Sequence, residues 1–363
     1  MSMFGVAAIE NGETVTIEQR ADPKSFLGLS LKNGLLNLVT LTLYRFWGKT
    51  EVRRRLWNSI HINGEPLEYT GRGIELFLGF VLAAAVVGLP FLSIFFAAQF
   101  LGPALAGVAM LLLYVLLGFL IGFGRFTAFR YLASRTVWRG LRFHMEGSAS
   151  AYGLRFLGYV ALSVISFGWF WPAAQRRLSG ALWDSLRFGD RKFRYDIQRA
   201  RSHEPVYVAY IATSFLTGLA YAVFAVVLVL LLPGFGEQTA EPSLADIAKV
   251  YLALLLAAPL FAIAVAPYQA ASLRTVVAGI QLQQVRGQID VKWRSMAWLY
   301  ISNLLLVTLS LGFLMPFVQA RTSRFLLDRV RTPGEANLVD VRQAPQGPRT
   351  GEGLADAFGL API

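Results

Sequence analysis

The sequence predicts a mainly α polytopic membrane protein. Two transmembrane helical hairpins are joined to three Gly/Pro-broken apolar segments, with a small cytoplasmic β layer built from repeated hairpins. Three observations predict it. The 363 residues are 55% hydrophobic and 15% charged, where a soluble chain is nearer a quarter charged. The apolar residues gather in long uncharged runs, as a bilayer requires. An apolar segment interrupted by Gly and Pro and followed by arginines also recurs along the chain.

Four runs are long and clean enough to span, which takes about 20 apolar residues. They are Leu76 to Phe100, Pro103 to Gly124, Pro205 to Phe235 and Val250 to Leu273. They form two helical hairpins. Gly102-Pro103 turns the first, and a connection holding Glu237, Glu241 and Asp246 turns the second.

The recurring segment reads Ser163-Val164-Ile165-Ser166-Phe167-Gly168-Trp169-Phe170-Trp171-Pro172, then Gln175-Arg176-Arg177. A later copy contains Ser310, Gly312 and Pro316, then Gln319-Ala320-Arg321. An earlier one runs through Thr40-Leu41-Thr42 to Trp47-Gly48-Lys49 and Arg53-Arg54-Arg55. Proline removes a helix hydrogen bond and clashes with the preceding turn, so Pro172 and Pro316 bend or end a helix. The first copy has neither the Gly nor the Pro, so a break is less secure there. Charge separates crossing from returning segments. With all seven apolar segments crossing, the loops carry 16 Lys and Arg on one side and 14 on the other. With only the four clean runs crossing, they carry 30 against none, the asymmetry that positive-inside topology produces. The three copies are therefore expected to be re-entrant or kinked, with both termini cytoplasmic.

A strand repeat follows. Trp57 to Tyr69 and Trp183 to Tyr195 alternate apolar and polar residues around Asn63-Gly64 and Gly189-Asp190 turns, a hairpin signature. Arg135–Phe143 and Arg274–Leu282 form a sister pair, and a weaker version runs from Phe325 through Pro333-Gly334 to Val341. The expected organisation is a polar segment over 1–25, repeat units over 26–151 and 152–295, a partial unit over 296–331, and a disordered tail over 332–363. The polar N-terminus predicts no cleaved signal peptide.

The block Leu56-Trp57-Asn58-Ser59, Asn63-Gly64-Glu65 and Leu67-Glu68-Tyr69-Thr70-Gly71, leading into Gly73-Ile74-Glu75-Leu76-Phe77, resembles the YjgN-like family of bacterial inner-membrane proteins. The resemblance extends from about Phe26 to Val330. It implies a multi-pass inner-membrane protein and brings no accepted activity, so no functional residue follows from it.

The chemistry to be read is sparse. There is no cysteine, which excludes disulfides and thiolate sites. His61, His144 and His203 are isolated, so no metal and no cofactor are expected. No phosphate-cradling or nucleophile motif occurs, and no acid–base pair supports an enzyme. The net charge of +12 reads as topology signalling rather than nucleic-acid binding. Candidate path or break residues are Ser163, Ser166, Gly168, Trp171, Pro172, Asn303, Thr308, Ser310, Gly312 and Pro316. Candidate contacts to anionic lipids in the surrounding bilayer are Arg53, Arg54, Arg55, Arg176 and Arg177. The expected function is permeation or handling of a small molecule or lipid along the broken segments. The alternative is a non-catalytic scaffold holding a cytoplasmic protein partner, and a homo-oligomer is compatible with either.

Overall fold

In the computed structural model, which describes residues 12–100, 102–202, 205–231 and 243–343, strands and helical pairs alternate along the chain. Strands β1 (Glu13–Thr14) and β2 (Ile17–Gln19) lead into α1 (Leu27–Val39) and α2 (Arg45–Asn58). Next come β3 (Ile60–Ile62), β4 (Glu65–Pro66) and β5 (Glu68–Tyr69). The first long pair is α3 (Gly73–Ala83), α4 (Leu89–Ala97) and α5 (Pro103–Arg135). Then follow β6 (Thr136–Trp138), β7 (Leu141–Met145), α6 (Ala149–Ile165), α7 (Trp171–Trp183), β8 (Leu186–Phe188) and β9 (Arg191–Tyr195). The second long pair is α9 (Val206–Leu231) and α10 (Leu244–Gly279), preceded by the short α8 (Ile197–Ser202). The chain continues through β10 (Ile280–Leu282), β11 (Val285–Arg286), β12 (Gln288–Ile289), α11 (Trp293–Leu309), α12 (Met315–Leu327), β13 (Val330–Arg331) and β14 (Glu335–Ala336).

The strand pairings close on themselves. From β2 the ladder runs antiparallel to β3 and β4, and from β5 through β6, β7, β8, β9 and β10 to β11. Strand β12 pairs with β13, and β14 pairs with β1. The pieces β1/β2, β4/β5, β11/β12 and β13/β14 are each one bent stretch of chain, so the circuit is a ring of ten strand segments with no free edge. Closure matters because segments of two to five residues are marginal alone, and a free edge recruits other chains. The Asn63-Gly64 and Arg139-Gly140 turns have positive φ at both residues, the geometry that matches hairpin twist. Inside the ring Trp138, Phe188, Val285, Ala336 and Leu338 form an apolar core.

This corrects the expectation of disorder from Thr332 onward. Glu335 and Ala336 pair with Thr14 and Glu13 of the N-terminal strand, and Ala336, Leu338 and Val341 are buried. Its few apolar residues suffice because the N-terminal strand supplies the hydrogen-bonding partner. Residues 344–363 of that predicted tail, and most of the acidic connection after Phe235, lie outside the described residues.

Each helical pair leaves the ring from one strand and returns to the next. Among the described residues, four helices are long and apolar enough to cross a membrane: Gly73–Phe100, Pro103–Arg135, Val206–Leu231 and Leu244–Gly279. In the first of these a π-type turn at Ala84–Gly88 precedes Pro90, whose missing N–H and bulky ring disfavour ordinary helix there. The Gly118/Gly122 pair of α5 serves a contact inside the chain. A Cβ at Gly122 would meet Phe156 and the Gly153 backbone of α6 within 3.0 Å.

The other three pairs, α1/α2, α6/α7 and α11/α12, are the recurring segments, and they share one turn. Leu41, Phe167 and Leu311 have φ of 48, 50 and 50°, and the following Thr42, Gly168 and Gly312 have 71, 90 and 86°. The N–H of that second residue reaches back five residues, to Asn37, Ser163 and Val307, at 2.6–2.8 Å. The hydroxyls of Thr40, Ser166 and Ser310 accept the N–H of Tyr44, Phe170 and Leu314, at 3.0, 2.9 and 3.1 Å. One side chain thereby closes the first helix and starts the second. The first copy breaks as the others do, with a threonine in the glycine place.

A left-handed, β-branched Thr42 is strained by about 1–2 kcal/mol. Thr42→Gly should therefore raise the thermal unfolding midpoint in detergent. Gly312, where an added Cβ would meet nothing within 4 Å, isolates the backbone term, so Gly312→Thr should lower the midpoint comparably.

Candidate functional site

Where the first and third broken pairs meet, a cavity of about 380 Å³ opens between α1, α2 and the start of α12. The approach is close: a Cβ on Gly34 would fall 2.2 Å from the Phe313 ring. The N–H of Phe317 donates to Ser30 Oγ at 3.3 Å, giving α12 an N-terminal acceptor from another pair.

The lining is polar for so apolar a chain. Asn33, Asn37, Arg45, Lys49 and Gln319 share it with Gly34, Phe46, Phe313 and Met315. Asn33 is buried and its Nδ2 donates to the Gly48 carbonyl at 3.4 Å. The Oδ1 atoms of Asn33 and Asn37 are buried without a partner in the protein. A buried acceptor left unpaired costs about 1–3 kcal/mol, so these two oxygens mark a place suited to a hydrogen-bond donor. The Arg45 guanidinium lies 4.8 Å from the centroids of the Phe46 and Phe80 rings. Aligned by the shared turn, Arg45 and Lys49 stand where the second copy has Trp171 and Gln175 and the third has Met315 and Gln319. The cations therefore belong to the first copy alone.

Sequence reasoning placed its candidates in the right turns, and two of them reach this cavity. Gly312 and Pro316 line it. Ser166 and Ser310 cap helices, and Ser163 donates to the Tyr159 carbonyl at 2.8 Å. Thr308 accepts the Leu311 N–H through its carbonyl. Asn303 binds Thr322 and Arg321 at 3.0 and 2.9 Å. Gly168 accepts from the Tyr210 hydroxyl of α9 at 3.0 Å, with Trp171 and Pro172 opening α7. Asn33, Asn37, Arg45 and Lys49 were missed. The available signal was the pair of cations in the one copy that lacks Gly and Pro.

The arginine cluster divides. Arg54 and Arg55 are exposed, and Arg176 and Arg177 half-buried over Tyr207, Tyr159 and Phe170. Arg53 is 2% exposed and faces Tyr69, which continues through Tyr131 to Glu75. No lipid headgroup reaches it there. His144 lies opposite Arg187 on the ring, and burial holds its pKa below the ordinary value, with Arg187 adding to that and Glu146 opposing it. His203 lies outside the described residues.

Four bilayer-length helices and three short broken pairs, all rooted in one strand ring, define a membrane protein. The chain belongs to the family described as bacterial protein of unknown function (DUF898), which it matches over residues 17–357. No curated protein and no solved structure matches it.

If Gly34 and Phe313 set the width of the cavity, Gly34→Val alone should lower the unfolding midpoint. Phe313→Ala should lower it by removing the ring. The double variant should lose less than the sum of the two, measured as a double-mutant cycle.

Proposed function

We propose that this is an inner-membrane protein that holds a phospholipid headgroup in the cavity between its first and third broken pairs, as part of handling that lipid. The strand ring lies on the cytoplasmic side with both chain ends. The three broken pairs enter the bilayer from that side and return to it.

Length supports the re-entrant part. Helices α2, α7 and α12 have 13 or 14 residues, about 20 Å at 1.5 Å per residue, against a hydrocarbon core of about 30 Å. The turns support it too. Their outermost residues Leu41, Phe167 and Leu311 are 85, 95 and 88% exposed, a placement costly in water and favourable among acyl chains. The lysine and arginine asymmetry of the loops points to the same arrangement.

The observation that carries the ligand is the pairing of cations with unsatisfied acceptors at one place. Arg45 and Lys49 suit a phosphate, and the Asn33 and Asn37 oxygens suit an amine or hydroxyl of the same headgroup. Charge placed inside the membrane face of a protein is expensive and tends to be functional. The exposed apolar residues Leu38, Val39 and Leu309 around the turns leave the acyl chains in hydrocarbon while the headgroup is held.

Two measurements test this. Single cysteines at Glu65 and Asp190, on a naturally cysteine-free chain, should label with an impermeant maleimide from the cytoplasmic side only. Labelling from opposite sides would sink the re-entrant topology. Native mass spectrometry should show retained phospholipid that Arg45→Ala and Asn37→Leu reduce about tenfold, corresponding to roughly 1.4 kcal/mol. Phosphatidylethanolamine and phosphatidylglycerol, compared by exchange, distinguish an amine from hydroxyl donors. Equal retention by wild type and both variants rejects the site.

A further inference from the structure

The interior of the strand ring is not filled. A cavity of about 310 Å³ lies within it, walled by Ile17, Ile62, Trp138, Phe143 and Val285 and floored by Trp183 at the end of α7. This cavity is separate from the headgroup site and shares no lining residue with it.

Ring size explains the space. Eight strands close around an interior that side chains just fill or that holds one small ligand, and diameter grows with strand number. Ten segments carrying mostly valine, isoleucine and leucine inward leave a remainder. That remainder is about twice the apolar cavity known to stay dry and take up benzene, and reaches the lower range of small-molecule pockets.

The wall chemistry narrows the occupant. Thr332 is the one hydroxyl on the wall, and it already donates to the Val15 carbonyl. A polar ligand would lose its water hydrogen bonds with nothing in exchange. The wall offers no other polar group, because the Trp138 indole N–H, although without a partner in the protein, is itself buried. Such a wall matches a hydrocarbon chain.

We infer that the strand ring is a binding site for the hydrocarbon part of one fatty-acyl chain. The source is either a free fatty acid or the chain of a lipid drawn from the adjacent bilayer. Occupancy completes the ring core and makes ring stability dependent on the chain.

The full-length protein in detergent, titrated with dansyl-undecanoic acid, tests this. Saturable binding with energy transfer from tryptophan is expected, displaced by dodecanoic acid. Val285→Trp, which fills the cavity, should weaken binding at least tenfold. Ile62→Phe provides a second filling variant should the first fail to fold. Arg45→Ala, at the separate cavity, should leave binding unchanged. Solvent extraction and mass spectrometry of the purified protein separate a free acid from a phospholipid. Absence of saturable binding, or equal affinity in both filling variants, overturns the proposal.

Discussion

Closure of the strand ring is the constraint on which the rest depends. No segment in it exceeds five residues, and none would persist alone. Each is held because both neighbours supply hydrogen bonds and because the inward residues share one apolar interior. Closure also dictates what the helices do. A helical pair that starts on one ring strand and ends on the next must come back to the side it left. Long pairs do so over helices long enough to cross a membrane, short pairs by turning after 13 to 17 residues. The first and last strands meet for the same reason: β1 and β14 are the last neighbours in the circuit.

The early turn is a local solution repeated three times. Two consecutive left-handed residues reverse the chain, and a hydroxyl just before them serves the start of the next helix. Glycine relieves the strain in two copies, whereas Thr42 bears it in the first. That strain is tolerated because α2 is anchored elsewhere, with Phe46 packed on Phe77 and Phe80 of α3 at centroid distances of 5.6 and 5.3 Å. The serines that looked available to line a path are committed to backbone hydrogen bonds opened by the breaks. The polar cavity comes instead from residues facing across two pairs. It lies where the copy richest in charge meets the third.

The two cavities have opposite chemistry, and each follows from its walls. Between the pairs, two asparagines and two cations line one space. Within the ring, ten inward-facing segments leave an apolar one. On the proposed reading of the two cavities, the polar and apolar portions of lipid molecules are held at separate places.

What the sequence determined by itself was one-dimensional. Length and hydropathy located the four spanning helices, Gly168 with Pro172 and Gly312 with Pro316 located two breaks, and Asn63-Gly64 located a hairpin. These rest on local propensity, which neighbouring residues express without help. Tertiary structure decided the remainder. The break at Thr42 was obscured because packing overrides propensity there. The ordering of Ala336 to Val341 was obscured because its partner strand lies more than 300 residues away. Arg53 became an interior residue, and Asn37 came to face a cavity, through contacts between elements distant in sequence. Cavities and ring closure are properties of which surfaces meet, and no periodicity in a chain encodes that directly.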